Sequence, residues 1–302
     1  MTRDVLHAEI DIELPSLDVY STIAQAWLTD GPAALAAPQM EAALDARLTE
    51  KSLSRHLGSF GPPGTAWGSV IIAPYSRPRH RAASLYAFTE RSYARFLAKL
   101  SAEIPERAEL LFYEIDTVGE PVSFYVHLDG PHIDDGRPGF VRLIAHRPGR
   151  VADDVAHRWA TFTESFLASL AVPVVYGHVA NDMAEETART ALEMATDGWP
   201  FEASDPLELR GYSWLTALSP GQAARLGGTD ALRGSAFVQI TELGSGSVLL
   251  KATERLSEYD GAAIERVWEA LRPLLPAGEP LPPPALAGQP EPRLVRRGAI
   301  QP

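Results

Sequence analysis

Five acid–base side chains crowd the stretch HLDGPHIDDG at residues 127–136: His127, Asp129, His132, Asp134 and Asp135. Imidazole and carboxylate together can ligate a divalent metal or exchange a proton as a general acid/base pair. Their spacing matches none of the established metal-ligand signatures. Turns also collect Asp, Gly and Pro for conformational reasons, and that chemistry alone accounts for most of the cluster. A solvated loop at a strand end is therefore the preferred reading, with the metal or acid/base site as its alternative. A second group lies at YGHVANDM, where His178 precedes Asp182, Glu185 and Glu186. It reads either as a His–carboxylate pair or as a helix cap beside a partly buried histidine, and the cap is preferred.

The segment LRGYSWLTALSPGQAARLGG, residues 209–228, is dense in Arg210, Tyr212 and Trp214 and ends on Gly227-Gly228. It holds no acid to pair with a base. Arg210 is long enough to reach a carboxylate elsewhere, and Tyr212 and Trp214 would share one side of a strand. Ser219-Pro220 has the form of a helix start and the glycine pair that of a stop. The segment thus reads as strand, turn, short helix and stop, a structural signature. Several catalytic motifs do not occur: no phosphate-binding G-x-x-x-x-G-K-[ST], no G-x-G-x-x-G, no H-E-x-x-H and no G-x-S-x-G. The chain has no cysteine, which removes disulfides, thiolate metal sites and a thiol nucleophile.

The elements that must hold these residues follow from hydrophobic period. VLHAEIDIEL (5–14) alternates as a strand with one buried face. Residues 17–57 read as short helices interrupted at Gly31-Pro32, 59–64 as a loop and 68–75 as a strand. Residues 80–103 read as one long helix, with Leu85, Phe88, Phe96, Leu97 and Leu100 on its apolar stripe. Strands are expected at 110–116, 123–129 and 139–146, a long helix at 150–171, a strand at 172–179 and a helix at 181–195. The rest reads as a strand at 212–218, a short helix at 220–227, a hairpin of 236–243 with 247–254, and a closing helix at 260–275. Hairpin-paired strands with helices gathered on one face predict an α+β fold of antiparallel or mixed sheets. Residues 1–275 are expected to form one domain of two similar halves, 1–172 and 173–275. The proline-rich segment 276–302 is expected to be a disordered tail.

Net charge is −12 over 302 residues. Such a surface repels nucleic-acid phosphates and anionic membranes and favours basic partners. The opening residues lack a basic start followed by an apolar run, and the most apolar stretch, LASLAVPVVYG (167–177), is broken by Ser169 and Pro173. Neither a signal peptide nor a membrane span is expected, so a cytoplasmic location is.

The string LRGYSWLTALSPGQAARLGG, followed by DALRGSAFVQITEL (230–243), SVLLKATE and VWEALRPLLP (267–276), resembles the DUF3396 family of type VI immunity proteins and the related immunity protein 52 group. YGHV (176–179) and ALE (191–193) resemble parts of the same pattern, and the likeness is best over 173–276. It implies that Arg210, Gly211, Tyr212, Trp214, Leu226, Gly227 and Gly228 are the family's structural signature. It also implies a non-enzymatic bacterial protein that needs no cofactor or metal and binds and neutralises a cognate toxin, often a nuclease. Asp134, Asp135, Asp182, Glu185 and Glu186 are then the acids expected to face a basic toxin. A metal- or acid/base-dependent enzyme using the 127–136 loop, and an orphan scaffold protein, are the competing readings.

Overall fold

The computed structural model describes residues 5–46, 62–74, 83–132, 139–149, 151–180, 192, 207–234 and 236–275. The fold is α+β, and every strand pair with an assigned register is antiparallel. The chain divides into two compact units, one of residues 12–148 and one joining 1–11 to 149–302. Asp134, Asp135, the expected helix at 181–195 with Asp182, Glu185 and Glu186, and the tail at 276–302 lie outside the described residues.

In the unit of residues 12–148, α1 (Leu17–Leu35) and α2 (Ala37–Asp45) precede β2 (Ala66–Pro74) and β3 (Ser84–Ala87). Next come α3 (Glu90–Ala102), β4 (Pro105–Ile115), β5 (Pro121–His132) and β6 (Gly139–Pro148). The strands lie in the order β3-β2-β4-β5-β6. Side chains alternate across the pleat. One face of the sheet carries Val70, Ile72, Ala108, Leu110, Phe112, Phe124, Val126, Leu128, Val141 and Leu143, all buried. Helix α1 touches both α2 and α3, and all three rest on this sheet, so they share its apolar face.

Helix α1 buries Tyr20, Ile23, Ala24, Trp27, Leu28, Gly31, Pro32 and Leu35, a three-and-four spacing that makes one stripe. It does not break at Gly31-Pro32, as the dipeptide suggests; the break comes at Ala36. Proline has no N–H to offer the carbonyl four residues back. That carbonyl, on Leu28, instead accepts the Tyr93 hydroxyl at 2.9 Å. The helix therefore passes the proline without leaving a backbone oxygen unsatisfied.

The expected helix at 80–103 is also corrected. Residues 84–87 form β3, paired with β2 from Ser69↔Ala87 to Ile72↔Ser84. Helix α3 begins only at Glu90, after a reciprocal cap in which Ser92 N–H donates to Thr89 Oγ1 and Thr89 N–H donates to Ser92 Oγ. Leu85 is thus a largely exposed edge-strand residue. Phe88 sits so close to Gly68 that a Cβ there would meet its Cβ at 2.8 Å, so only glycine lets these backbones approach.

In the other unit, β1 (Val5–Leu14) contributes residues 5–11 and is neighbour to β7 (Val174–Ala180). The sheet continues through β8 (Leu215–Leu218) to β10 (Val248–Lys251) and ends at β9 (Gln239–Glu242). The helices are α4 (Asp153–Ser169), α5 (Pro220–Arg225), α6 (Gly228–Leu232) and α7 (Gly261–Leu271), the last followed by a 3-10 turn at Arg272–Leu274. The β9–β10 hairpin closes where Leu243 N–H donates to Ser247 O and Gly246 N–H to Leu243 O.

Here too the expected strand at 212–218 is shorter, beginning at Leu215. Ser213 is the cause. Its N–H donates to Thr216 Oγ1 and its hydroxyl lies against the carbonyls of Val179 and Leu215. Such local side-chain bonds hold the backbone off the ladder. The short helix α5 opens on Ser219, whose hydroxyl accepts Gln222 N–H while Gln222 Oε1 accepts Ser219 N–H. It stops before Gly227, at φ 89°, where a side chain would be strained. A further short helix, α6, follows at once.

Candidate functional site

The face of the 12–148 sheet opposite α1, α2 and α3 collects polar residues. Register places Arg107 opposite Asp129, Glu109 opposite His127, and Asp129 opposite Arg142. Residues opposite one another in a ladder share a face, so these five side chains form one patch. Glu109 and Arg142 are almost fully buried, at 4% and 1% exposure. A carboxylate and a guanidinium that deep require partners.

Glu109 Oε2 accepts from Arg107 Nη2 at 2.6 Å and Nε at 3.1 Å. His127 Nδ1 lies 3.7 Å from the same oxygen. Burial pushes the Glu109 carboxyl up. The nearby His127 imidazole and the Arg107 guanidinium more than offset this, and the net shift is downward. Asp129 behaves alike: burial raises it, and His132, His127 and Arg142 bring it below the ordinary value. His132 Nε2 is 3.6 Å from Asp129 Oδ2, and its ring stacks on Phe140 with centroids 4.6 Å apart.

The backbone beneath this patch is tied to α1. The Trp27 indole N–H donates to His127 O at 3.0 Å. The Tyr20 hydroxyl lies 2.6 Å from Pro105 O and 2.8 Å from Gly130 O. Burial, then the charge of Asp129, raises the Tyr20 phenol and keeps it a donor.

The structure thus brings His127, Asp129 and His132 of the 127–136 cluster to one patch. Asp134 and Asp135 lie outside the described residues. Sequence reading missed Arg107, Glu109 and Arg142. Their signal was the period of two in PERAELLFYEI and GFVRLIAHRP, which puts each on the face opposite a run of apolar residues.

Cationic neighbours thus hold both carboxyls below their ordinary range. Among the described residues no group of three or more His, Cys, Asp and Glu is placed to hold a metal ion.

A second buried polar network occupies the other unit. Arg210 Nη1 donates to Glu9 Oε1 at 2.7 Å and to Asp11 Oδ2 at 2.6 Å. The side chains of Glu9, Asp11 and Arg210 are 1%, 4% and 10% exposed. The guanidinium also lies over the Tyr176 ring, 4.9 Å from its centroid. Tyr176 in turn bonds His178 Nδ1 through its hydroxyl at 2.7 Å. His178 therefore meets a tyrosine within its own strand, and its ring stands 5.4 Å from that of His7.

Trp214 is 1% exposed. Its indole N–H donates to Thr253 O at 3.0 Å. Gly211 is buried, Tyr212 and Leu226 are half-buried, and Gly227 is exposed. Arg210, Trp214 and the capped helix α5 accordingly anchor strands and turns.

No family model matches the chain, and no curated protein matches it. Among solved structures, a Pseudomonas aeruginosa T6SS protein superposes with a TM-score of 0.44 at 14% identity, covering 90% of this chain and 77% of that one. No helix among the described residues is long and apolar enough to cross a membrane.

Proposed function

We propose that this chain is an immunity protein: it binds a basic toxin protein, a nuclease among the candidates, and neutralises it by covering its active site. The observation that carries the reading is the chain's net charge of −12. An acidic surface steers a basic partner and imposes register on it.

The likeness of residues 173–276 to type VI immunity proteins supports the same reading. In this reading Asp134, Asp135, Asp182, Glu185 and Glu186 are the acids that meet the basic toxin. The test is capture of the tagged chain from its native cells, with the bound protein identified by mass spectrometry. The proposal expects a basic partner at a one-to-one ratio. A chain recovered alone from cells that express the toxin would overturn it.

The acid/base enzyme remains the second reading, because His127 and Glu109 share one patch. Its discriminator is turnover or stoichiometric metal lost in His132→Ala.

A further inference from the structure

Helix α3 carries bases along one flank. Arg91, Arg95 and Lys99 recur every four residues, which sets them about 6 Å apart along the axis. The other flank is taken by α1: the Tyr93 hydroxyl donates to Leu28 O, and Gln25 Nε2 donates to Ser101 Oγ. The basic flank lies instead on the side of β3, the end strand of the order β3-β2-β4-β5-β6. Lys99 Nζ stands 5.9 Å from the centroid of the Tyr86 ring on that strand. Arg91 and Arg95 are exposed.

Among the described residues neither the Arg91 nor the Arg95 side chain makes an ion pair or a hydrogen bond, and Lys99 meets only the Tyr86 ring. Glu90 and Glu103, at the two ends of the helix, pair with none of the three. Like charges four residues apart on a helix repel. Arg91 also stands in the first turn, where the helix dipole opposes a cation. The stripe therefore costs helix stability. Solubility does not explain it, because the chain already carries a net charge of −12. The sequence concentrates base here: residues 77–99 hold Arg77, Arg79, Arg81, Arg91, Arg95 and Lys99 against a single acid, Glu90. Arg77, Arg79 and Arg81 lie outside the described residues, and the surface stands without them.

We propose that this flank is a docking surface for a short acidic segment of a protein partner, whose Asp or Glu carboxylates accept from the Arg91 and Arg95 guanidinium groups. A guanidinium meets a carboxylate through two parallel N–H bonds, a geometry an ammonium does not offer. The half-buried Tyr86 ring borders the stripe. An acidic helix with carboxylates at four-residue spacing repeats at the same distance of about 6 Å and matches the stripe charge for charge.

Net charge selects the size of the occupant. Nucleic acid and an anionic membrane are extended and meet the field of the whole acidic chain, which repels them. A short segment meets chiefly the charges within a Debye length, about 8 Å at physiological ionic strength. Over that range Arg91, Arg95 and Lys99 outnumber Glu90. A basic toxin is repelled from the same flank, so this surface is separate from the toxin interface and does not depend on the existence of a toxin.

The test titrates a synthetic helical peptide with glutamate at every fourth residue into the full chain at physiological salt. The Arg91 and Arg95 Nε–H signals are followed by NMR and are expected to shift with roughly millimolar affinity. The same peptide with glutamine in place of glutamate should bind about tenfold more weakly. Arg91→Gln combined with Arg95→Gln should weaken the glutamate peptide by about tenfold or more. Its melting temperature should equal or exceed the parent's, because the repulsion along the helix is relieved. No shift in the folded parent, or an equal shift with the glutamine peptide, would overturn the proposal. Single-stranded DNA or phosphatidylserine vesicles that move the two signals more readily than the glutamate peptide would overturn the choice of a protein segment. A double variant that melts well below the parent would assign the stripe to the fold and overturn the proposal as well.

Discussion

Arg210→Met tests the most consequential ion network. The substitution keeps the aliphatic stem beside Tyr176 and removes the guanidinium. It leaves the Glu9 and Asp11 carboxylates at 1% and 4% side-chain exposure without the cation that sits 2.7 and 2.6 Å from them. Removing one partner of a buried ion pair costs about 3–5 kcal/mol, most of it from the charge left behind. Loss of the contact with the Tyr176 face adds roughly 0.5–2 kcal/mol. Against a typical total stability of about 5–15 kcal/mol, the variant should be close to unfolding.

The assay is urea denaturation, followed by tryptophan fluorescence and by hydrogen exchange of the β7 amides. The second probe reports the unit that contains Arg210. A companion variant, Glu9→Gln with Asp11→Asn and Arg210→Met, removes the stranded charges and should recover a large part of the loss. An Arg210→Met protein as stable as the parent would refute the claim that this arginine holds the N-terminal strand. A triple variant less stable than the single one would refute the stranded-charge account.

Further outcomes follow from the same structure. Trp214→Ala should cost about 3–5 kcal/mol, since the indole is buried and hydrogen-bonded; a melting curve like the parent's would contradict its core placement. Tyr93→Phe should cost about 1–3 kcal/mol by leaving the Leu28 carbonyl without its donor beside Pro32, and a fully stable variant would show that water replaces the hydroxyl. Because the folded pKa of Glu109 lies below its ordinary value, its stabilisation is present above the unfolded carboxylate range and is lost as pH falls through the folded pKa. Glu109→Gln should therefore be less stable than the parent at neutral pH and converge with it in acid, as denaturation at several pH values would reveal. Charge reversal of Asp134 and Asp135 together should slow association with the captured partner roughly tenfold and flatten its salt dependence; unchanged kinetics would remove them from the interface.

Much of the fold was legible because burial on one face writes a period into the chain. The three strands at 105–148 and the α4 seam read correctly for that reason, whereas VLHAEIDIEL, a strand as expected, buries both faces and not one, because its polar face with His7, Glu9 and Asp11 is covered as well. Where two periods overlap, the reading failed. Leu85 and Phe88 fit the apolar stripe of α3, yet Leu85 belongs to a strand and Phe88 packs over Gly68. At Gly31-Pro32 the sequence shows a breaker but not the distant hydroxyl that repairs it.

The polar clusters were harder still. The partners of Arg210 lie 201 and 199 residues away, and no local pattern announces them. His127 was visible in its loop, but Glu109 and Arg107 meet it only through strand register. Trp214, ambiguous in sequence between core and interface, is settled as core by its burial.

The most direct test of the proposed function is inhibition. The captured partner's toxic activity should be assayed alone and with increasing amounts of this chain. The account predicts that activity and growth arrest are abolished at a one-to-one ratio, with association that weakens as salt rises. Full toxic activity in the presence of excess folded chain would contradict it.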